Sequence, residues 1–99
     1  MKTDLRQLAD ALPTAWRSTR LGRIGDANFK VLRMEGENDE RELHAYNEAL
    51  LVLDGRLNLR LADEMIEIAA GEVFIVPAGT PHSVAPGSRG TLVIVDQDD

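Results

Sequence analysis

The sequence predicts an all-β barrel or sandwich preceded by one short helix, and three observations carry that reading. Leu57, Leu59 and Leu61 alternate with Arg56, Asn58 and Arg60, the period-two pattern of a half-buried strand. Short apolar runs recur from Phe29 to Val95, broken by Gly, Pro and Asp clusters at the spacing of roughly 8 to 12 residues that marks all-β domains. The hydrophobic fraction of 43% is that of a folded globular chain, and with only 4% aromatics the core must be built from Leu, Val and Ile.

Taken in order, the chain opens with a helical stripe. Leu5, Leu8, Ala9 and Leu12 fall at i, i+3, i+4 and i+7, Asp4 stands at the N-cap, and Pro13 ends the pattern. Residues 14–26 carry a weak signal, with Arg17, Arg20 and Arg23 scattered through them and Trp16 expected to pack on the body of the domain. Phe29 and Val31 then alternate with Lys30 and Leu32 in a strand ending near Glu35, and 36–42 is charged and turn-like. Residues 48–53 read as a strand buried on both faces and closed by the turn pair Asp54-Gly55. The alternating strand over 56–61 follows, then a turn at 62–64, a strand over 65–69, a break at Gly71 and a strand over 73–76. Pro77-Ala78-Gly79 forms a tight corner before a short strand over 82–84, a loop over 86–90, a last strand over 92–95 and a frayed acidic tail, Gln97-Asp98-Asp99. The 99 residues are enough for one domain and too few for two, with a helix and arm over about 1–26 and a barrel over about 27–96.

Charge and composition exclude several functions. The net charge of −6 argues against nucleic acid, which needs a basic footprint. The first 33 residues carry seven basic and three acidic groups, and the remainder four basic and fourteen acidic. With no cysteine there is no disulfide or thiolate chemistry, which fits a cytoplasmic protein. The N-terminus shows no apolar signal-peptide core, and the apolar runs are too short to cross a bilayer, so no membrane partner is expected. A chain this small gains from a second subunit, and a homodimer is expected. No phosphate-cradling glycine pattern and no activated serine signature is present.

Chemistry gathers on the only two histidines. In Glu42-Leu43-His44-Ala45-Tyr46-Asn47-Glu48, residues 42, 44, 46 and 48 share parity, so an extended chain turns Glu42, His44 and Glu48 to one side. If His82 comes from a neighbouring strand, two imidazoles and two carboxylates meet, a donor set suited to a divalent transition metal such as Fe, Mn, Ni or Zn. Tyr46 has the parity to line the same pocket, and a tyrosine near a strand start more often packs with its hydroxyl in water. Leu50, Val52, Phe74 and Val76 would line an apolar cavity beside it.

The spacings resemble those of the cupin superfamily, small single-domain type. Glu48, six residues and Gly55 match the end of the first cupin motif, with His44 in its second histidine position and Glu42 where the first histidine usually stands. Gly71, Pro77, Gly79 and His82 match the second motif at every spacing, and Pro86 replaces its final Asn. Together the motifs span residues 36–86. The resemblance implies a double-stranded β-helix or jelly-roll barrel, metal ligands at His44, Glu48 and His82 with Glu42 as the fourth, and a small-molecule ligand or substrate. It leaves three functions open: a metal-dependent enzyme of unidentified reaction, a non-catalytic ligand-binding module, and a metal-free structural barrel.

Overall fold

A computed structural model describes residues 1–98, and Asp99 of the acidic tail lies outside the described residues. Helix α1 (Leu5–Ala11) is followed by strands β1 (Thr19–Ile24), β2 (Ala27–Met34), β3 (Glu48–Leu61), β4 (Glu64–Ala69), β5 (Val73–Val76), β6 (His82–Val84) and β7 (Arg89–Asp96). The strands run in the order β1-β2-β7-β3-β4, and β5 and β6 both add to β3. All pairings are antiparallel.

β3 organises the molecule. Its first half lies between β7 and β5, and its second half between β4 and β6. The sequence reads Asp54-Gly55 as a hairpin turn, whereas the strand continues through it. The ladder to β7 shifts register between Val52 and Asp54, and Gly55 then stands opposite Gly90. Both glycines have positive φ, 77° and 108°. A Cβ on Gly55 would overlap the Arg89 carbonyl oxygen, and one on Gly90 would overlap that of Asp54. The Asp-Gly pair therefore serves a bend within a strand, where two backbones approach too closely for any side chain.

The sheet buries both of its faces around the middle strands. Leu32, Met34, Leu50, Val52, Leu57, Leu59, Ile68, Val76 and Leu92 form the barrel interior. Burying each such leucine contributes about 1.5–3 kcal/mol. On the other face Val31 and Val93 pack with Ala9 of the helix, flanked by Leu5, Leu8, Phe29 and Leu51. The alternation in β2 thus resolves into two faces: Phe29 and Val31 meet the helix, while Lys30, Leu32 and Met34 share the barrel side.

The helix is held at both ends. Asp4 accepts a hydrogen bond from the Gln7 amide at 3.0 Å, as an N-cap should. Arg33, on the helix side of β2, donates to the carbonyl oxygens of Ala9 (3.1 Å) and Leu12 (2.6 Å), giving the last turn the cationic partner it lacks in its own sequence. β1, which gave no clear strand signal, is the edge strand on β2 and is exposed over most of its length. Asp98 of the expected frayed tail is tied down, accepting from Arg23 at 2.7 Å and Asn28 at 2.9 Å.

Candidate metal centre

Four side chains from three stretches of chain converge at one end of the barrel. Glu48 is the first residue of β3, and its interior parity carries on through Leu50 and Val52. His82 opens β6 and pairs with Leu61 at the far end of that same β3 strand. Glu42 and His44 lie on an irregular segment, not on a strand, so parity alone does not aim them.

Backbone stitching does. Glu42 and His82 exchange both main-chain hydrogen bonds, at 2.9 and 3.0 Å, as an isolated bridge. The Gly79 amide donates to the His44 carbonyl at 2.8 Å, and the Ala78 amide to Asn47 Oδ1 at 2.9 Å. The Pro77-Ala78-Gly79 corner thus clamps residues 44–47, and Gly79 takes the positive φ of 77° that the corner needs.

The resulting geometry brings together every predicted site residue. One ligand-capable atom from each of Glu42, His44, Glu48 and His82 lies within 4.8 Å of the others. His44 Nε2 is 3.8 Å from Glu42 Oε1 and 3.8 Å from Glu48 Oε2. His82 Nε2 is 3.8 Å from Glu42 Oε2 and 3.2 Å from Glu48 Oε1. Donors about 2.0–2.2 Å from a shared ion stand about 3.0–3.5 Å from their neighbours, so small side-chain shifts suffice to enclose one. Glu48 and His82 are buried, at 5% and 4% exposure, and Glu42 stands at the open side.

Both rings turn the same nitrogen inward. The Thr80 carbonyl accepts from His82 Nδ1 at 3.0 Å, which places a proton on Nδ1 and leaves Nε2 facing the carboxylates. On His44 the Nδ1 lies 3.1 Å from the Tyr46 hydroxyl, and the two rings stack with centroids 4.9 Å apart. Tyr46 therefore lines the pocket, and its hydroxyl meets His44 instead of standing in water. Outer hydrogen bonds of this kind are what orient ligating histidines in metal sites.

The site's electrostatics point the same way. Its hydrogen bond to Glu48 raises the His82 pKa above its ordinary 6.5, against the opposing effect of burial. Burial raises the Glu42 pKa above 4.5, and the neighbouring Glu48 charge adds to it. Two adjacent carboxylates, one buried and one half-exposed at the mouth, call for positive charge, supplied by protons or by a cation. The imidazole and carboxylate donors fit a divalent transition metal.

A cavity of about 360 Å³ opens from this cluster. Leu50, Leu57, Leu59, Leu92 and Ile94 line its apolar wall, with Trp16 and Tyr46 also facing it. Of the expected cavity residues Leu50 is on this wall, while Val52, Phe74 and Val76 pack in the core beside it. Lys30 and Asp96, which sequence reasoning did not single out, also line the cavity.

The profile of the Cupin domain family matches residues 30–97, more than half of the chain. The chain belongs to the cupin family. Quercetin 2,3-dioxygenase of Bacillus subtilis is 37% identical over 92 residues, covering 90% of this cupin and 26% of that protein. An uncharacterized protein of Streptomyces coelicolor is 33% identical over 60 residues, covering 61% of this chain and 57% of its own. This cupin thus spans less than two thirds of either curated relative. A solved cupin-2 domain protein from Shewanella frigidimarina superposes with a TM-score of 0.86 at 23% identity, covering 97% of this chain and 94% of its own. A cupin superfamily protein from Desulfitobacterium hafniense gives 0.78 at 19% identity, covering 100% and 94%. At such identities the likeness establishes the fold. Among the described residues, no helix is long and apolar enough to cross a membrane.

Proposed function

We propose that this cupin binds one divalent transition metal through Glu42, His44, Glu48 and His82, and that the cavity beside it takes a small organic molecule. The observation that carries the reading is the convergence of two inward Nε2 atoms and two carboxylates at 3.2–3.8 Å. When bound, such a metal supplies a Lewis-acid centre with positions left for an oxygen donor of the ligand. The protein's part is to hold His82 through Thr80 and His44 through Tyr46, to exclude water with the leucine wall, and to keep Glu42 at the open side. There Glu42 can ligate or hold a proton, since its raised pKa brings the protonated form closer to neutral pH.

Elemental analysis after purification without added metal tests the assignment. Near one transition metal per chain is expected, lost in His82→Ala. No uptake after reconstitution with Fe(II), Mn(II), Ni(II) and Zn(II) would overturn it and leave a metal-free ligand-binding or structural barrel. Glu42→His, which restores the commoner family residue, is expected to tighten binding, and an unchanged affinity would place residue 42 outside the ligand set.

We also propose a cytoplasmic homodimer. The cysteine-free composition supports the compartment. The outer face of β5, where Val73 and Ile75 are 55% and 50% exposed beside Ala49 and Leu51, offers a second copy an apolar strip. Sedimentation equilibrium is expected to give twice the chain mass, falling to one in Ile75→Asp.

A further inference from the structure

The barrel interior holds a second polar group that metal binding does not use. Lys30 Nζ lies 2.9 Å from Asp96 Oδ2, and Asn28 donates to Asp96 Oδ1 at 3.1 Å. Asn28 and Asp96 are buried, and Lys30 and Asp96 both line the cavity. Packing gives no reason for this arrangement, because apolar side chains of similar volume generally serve a core as well as an ion pair does. Here the carboxylate is buried while the ammonium is half-buried at the cavity.

Register places the pair relative to the metal cluster. Lys30 stands opposite Ile94 of β7, and Ile94 opposite Leu50 of β3. Glu48 is two residues before Leu50 on the same face. With strands about 4.8 Å apart and a rise of about 3.3 Å per residue, the Lys30 backbone sits about 12 Å from that of Glu48. The Lys30 side chain runs towards that end, because its ammonium meets Asp96. Asp96 lies two residues beyond Ile94 as Glu48 lies two before Leu50, so the gap between ammonium and metal cluster closes to the span of a small molecule.

Charge narrows the kind of molecule. Glu40, Glu42, Glu48, Asp96 and Asp98 line the cavity, against one ammonium that is already paired. Even with a divalent ion on Glu42 and Glu48, Lys30 on Asp96 and Arg23 on Asp98, the five carboxylates keep a net negative charge, so an anion finds no attraction here. An ammonium carries three donors, and Asp96 is the partner of one. A neutral oxygen can accept another without adding charge.

We propose that Lys30, held by Asp96, is the specificity-determining residue of the cavity, selecting a neutral ligand with an apolar body and an oxygen acceptor remote from its metal-binding end. The inference rests on the metal-centred site proposed above.

Three 5-hydroxy-4-pyranones test it, alike in their chelating hydroxy-ketone and differing only at carbon 2: methyl (allomaltol), hydroxymethyl (kojic acid) and carboxylate (comenic acid). Calorimetry is run on Zn(II)-loaded and metal-free protein. The hydroxymethyl compound is expected to bind about tenfold more tightly than the methyl compound, with the carboxylate weaker than the hydroxymethyl. Lys30→Met should abolish the hydroxymethyl preference while leaving the Zn(II) affinity unchanged. Because that variant strands a buried carboxylate, Lys30→Met/Asp96→Asn provides the same comparison in a neutral pair. A preference that survives loss of the ammonium, a carboxylate that binds best, or no binding of any pyranone to either form overturns the assignment. Metal dependence is read separately: pyranone affinity that is equal with and without Zn(II) sinks the metal reading, while the methyl-to-hydroxymethyl difference still reports on Lys30.

Discussion

The two ends of the barrel interior are cut from the same three strands and are equally dry, yet they are chemically opposite. At one end Leu32, Leu92 and Val52 stand side by side on β2, β7 and β3, exposed by 6%, 3% and 0%. Four residues along each strand, on the same face, stand Asn28, Asp96 and Glu48, exposed by 1%, 6% and 5%. A buried polar group left unpaired costs about 1–3 kcal/mol, and one that is paired gains little over an apolar neighbour. The apolar end therefore stabilises the fold, and the polar end is accounted for by the ion and ligand proposed for it. Burial alone separates neither role.

That contrast can be tested from both sides. The largest effect is expected at the apolar end, where Met34→Ala removes a side chain that is 1% exposed and does not line the cavity. Stability measured by urea unfolding should fall by about 2–5 kcal/mol, with metal stoichiometry unchanged. A loss of metal along with stability would mean the two ends are not separable.

At the polar end, Tyr46→Phe removes the hydroxyl facing His44 Nδ1 and keeps the stacked ring. Metal affinity measured by chelator competition is expected to drop about 10- to 100-fold, with little change in metal-free stability. An unaltered affinity would make the tyrosine a packing residue only.

The smallest effect is a pH dependence of the metal-free protein. The folded His82 pKa lies above 6.5, so its contribution to stability is fully present below pH 6.5 and is lost as pH rises through the higher folded value. Glu42 acts in the same direction from 4.5 upward, because its folded pKa is also raised. Melting temperature without metal should therefore decline as the solution is taken above pH 6.5, and His82→Gln should flatten the slope. Metal binding runs the other way, strengthening over the same interval as His82 gives up its proton. Parallel trends in the two forms would contradict the shared site.

Much of this was legible in the residues themselves. Gly71, Pro77, Gly79 and His82 report a backbone corner whose geometry admits few alternatives, and the corner proves to be what fixes His44. The alternation at Leu57, Leu59 and Leu61 located the second half of β3. Other features were hidden for physical reasons. Asp54-Gly55 signals positive φ, which a hairpin turn and an in-strand bend both need, so local chemistry could not choose between them. β1 is an exposed edge without an apolar face of its own, leaving no periodicity to read. Lys30 sits on the barrel side of a strand whose opposite face is covered by the helix, so both faces carry apolar residues and the alternation alone does not say which is the interior. Its partner Asp96 is 66 residues away, and only the β2–β7 register joins them.

β3 touches the site twice, with Glu48 at its beginning and, through the Leu61 pairing, His82 at its end. Drawn straight, its 14 residues would run about 43 Å, longer than the 40 Å greatest dimension of the molecule. The Gly55 bend folds that length back until both ends reach His82, so an ion bridging Glu48 and His82 would act as a clasp on a hoop. Occupancy should then be felt along the whole hoop, slowing amide exchange even at Val52, which does not line the cavity.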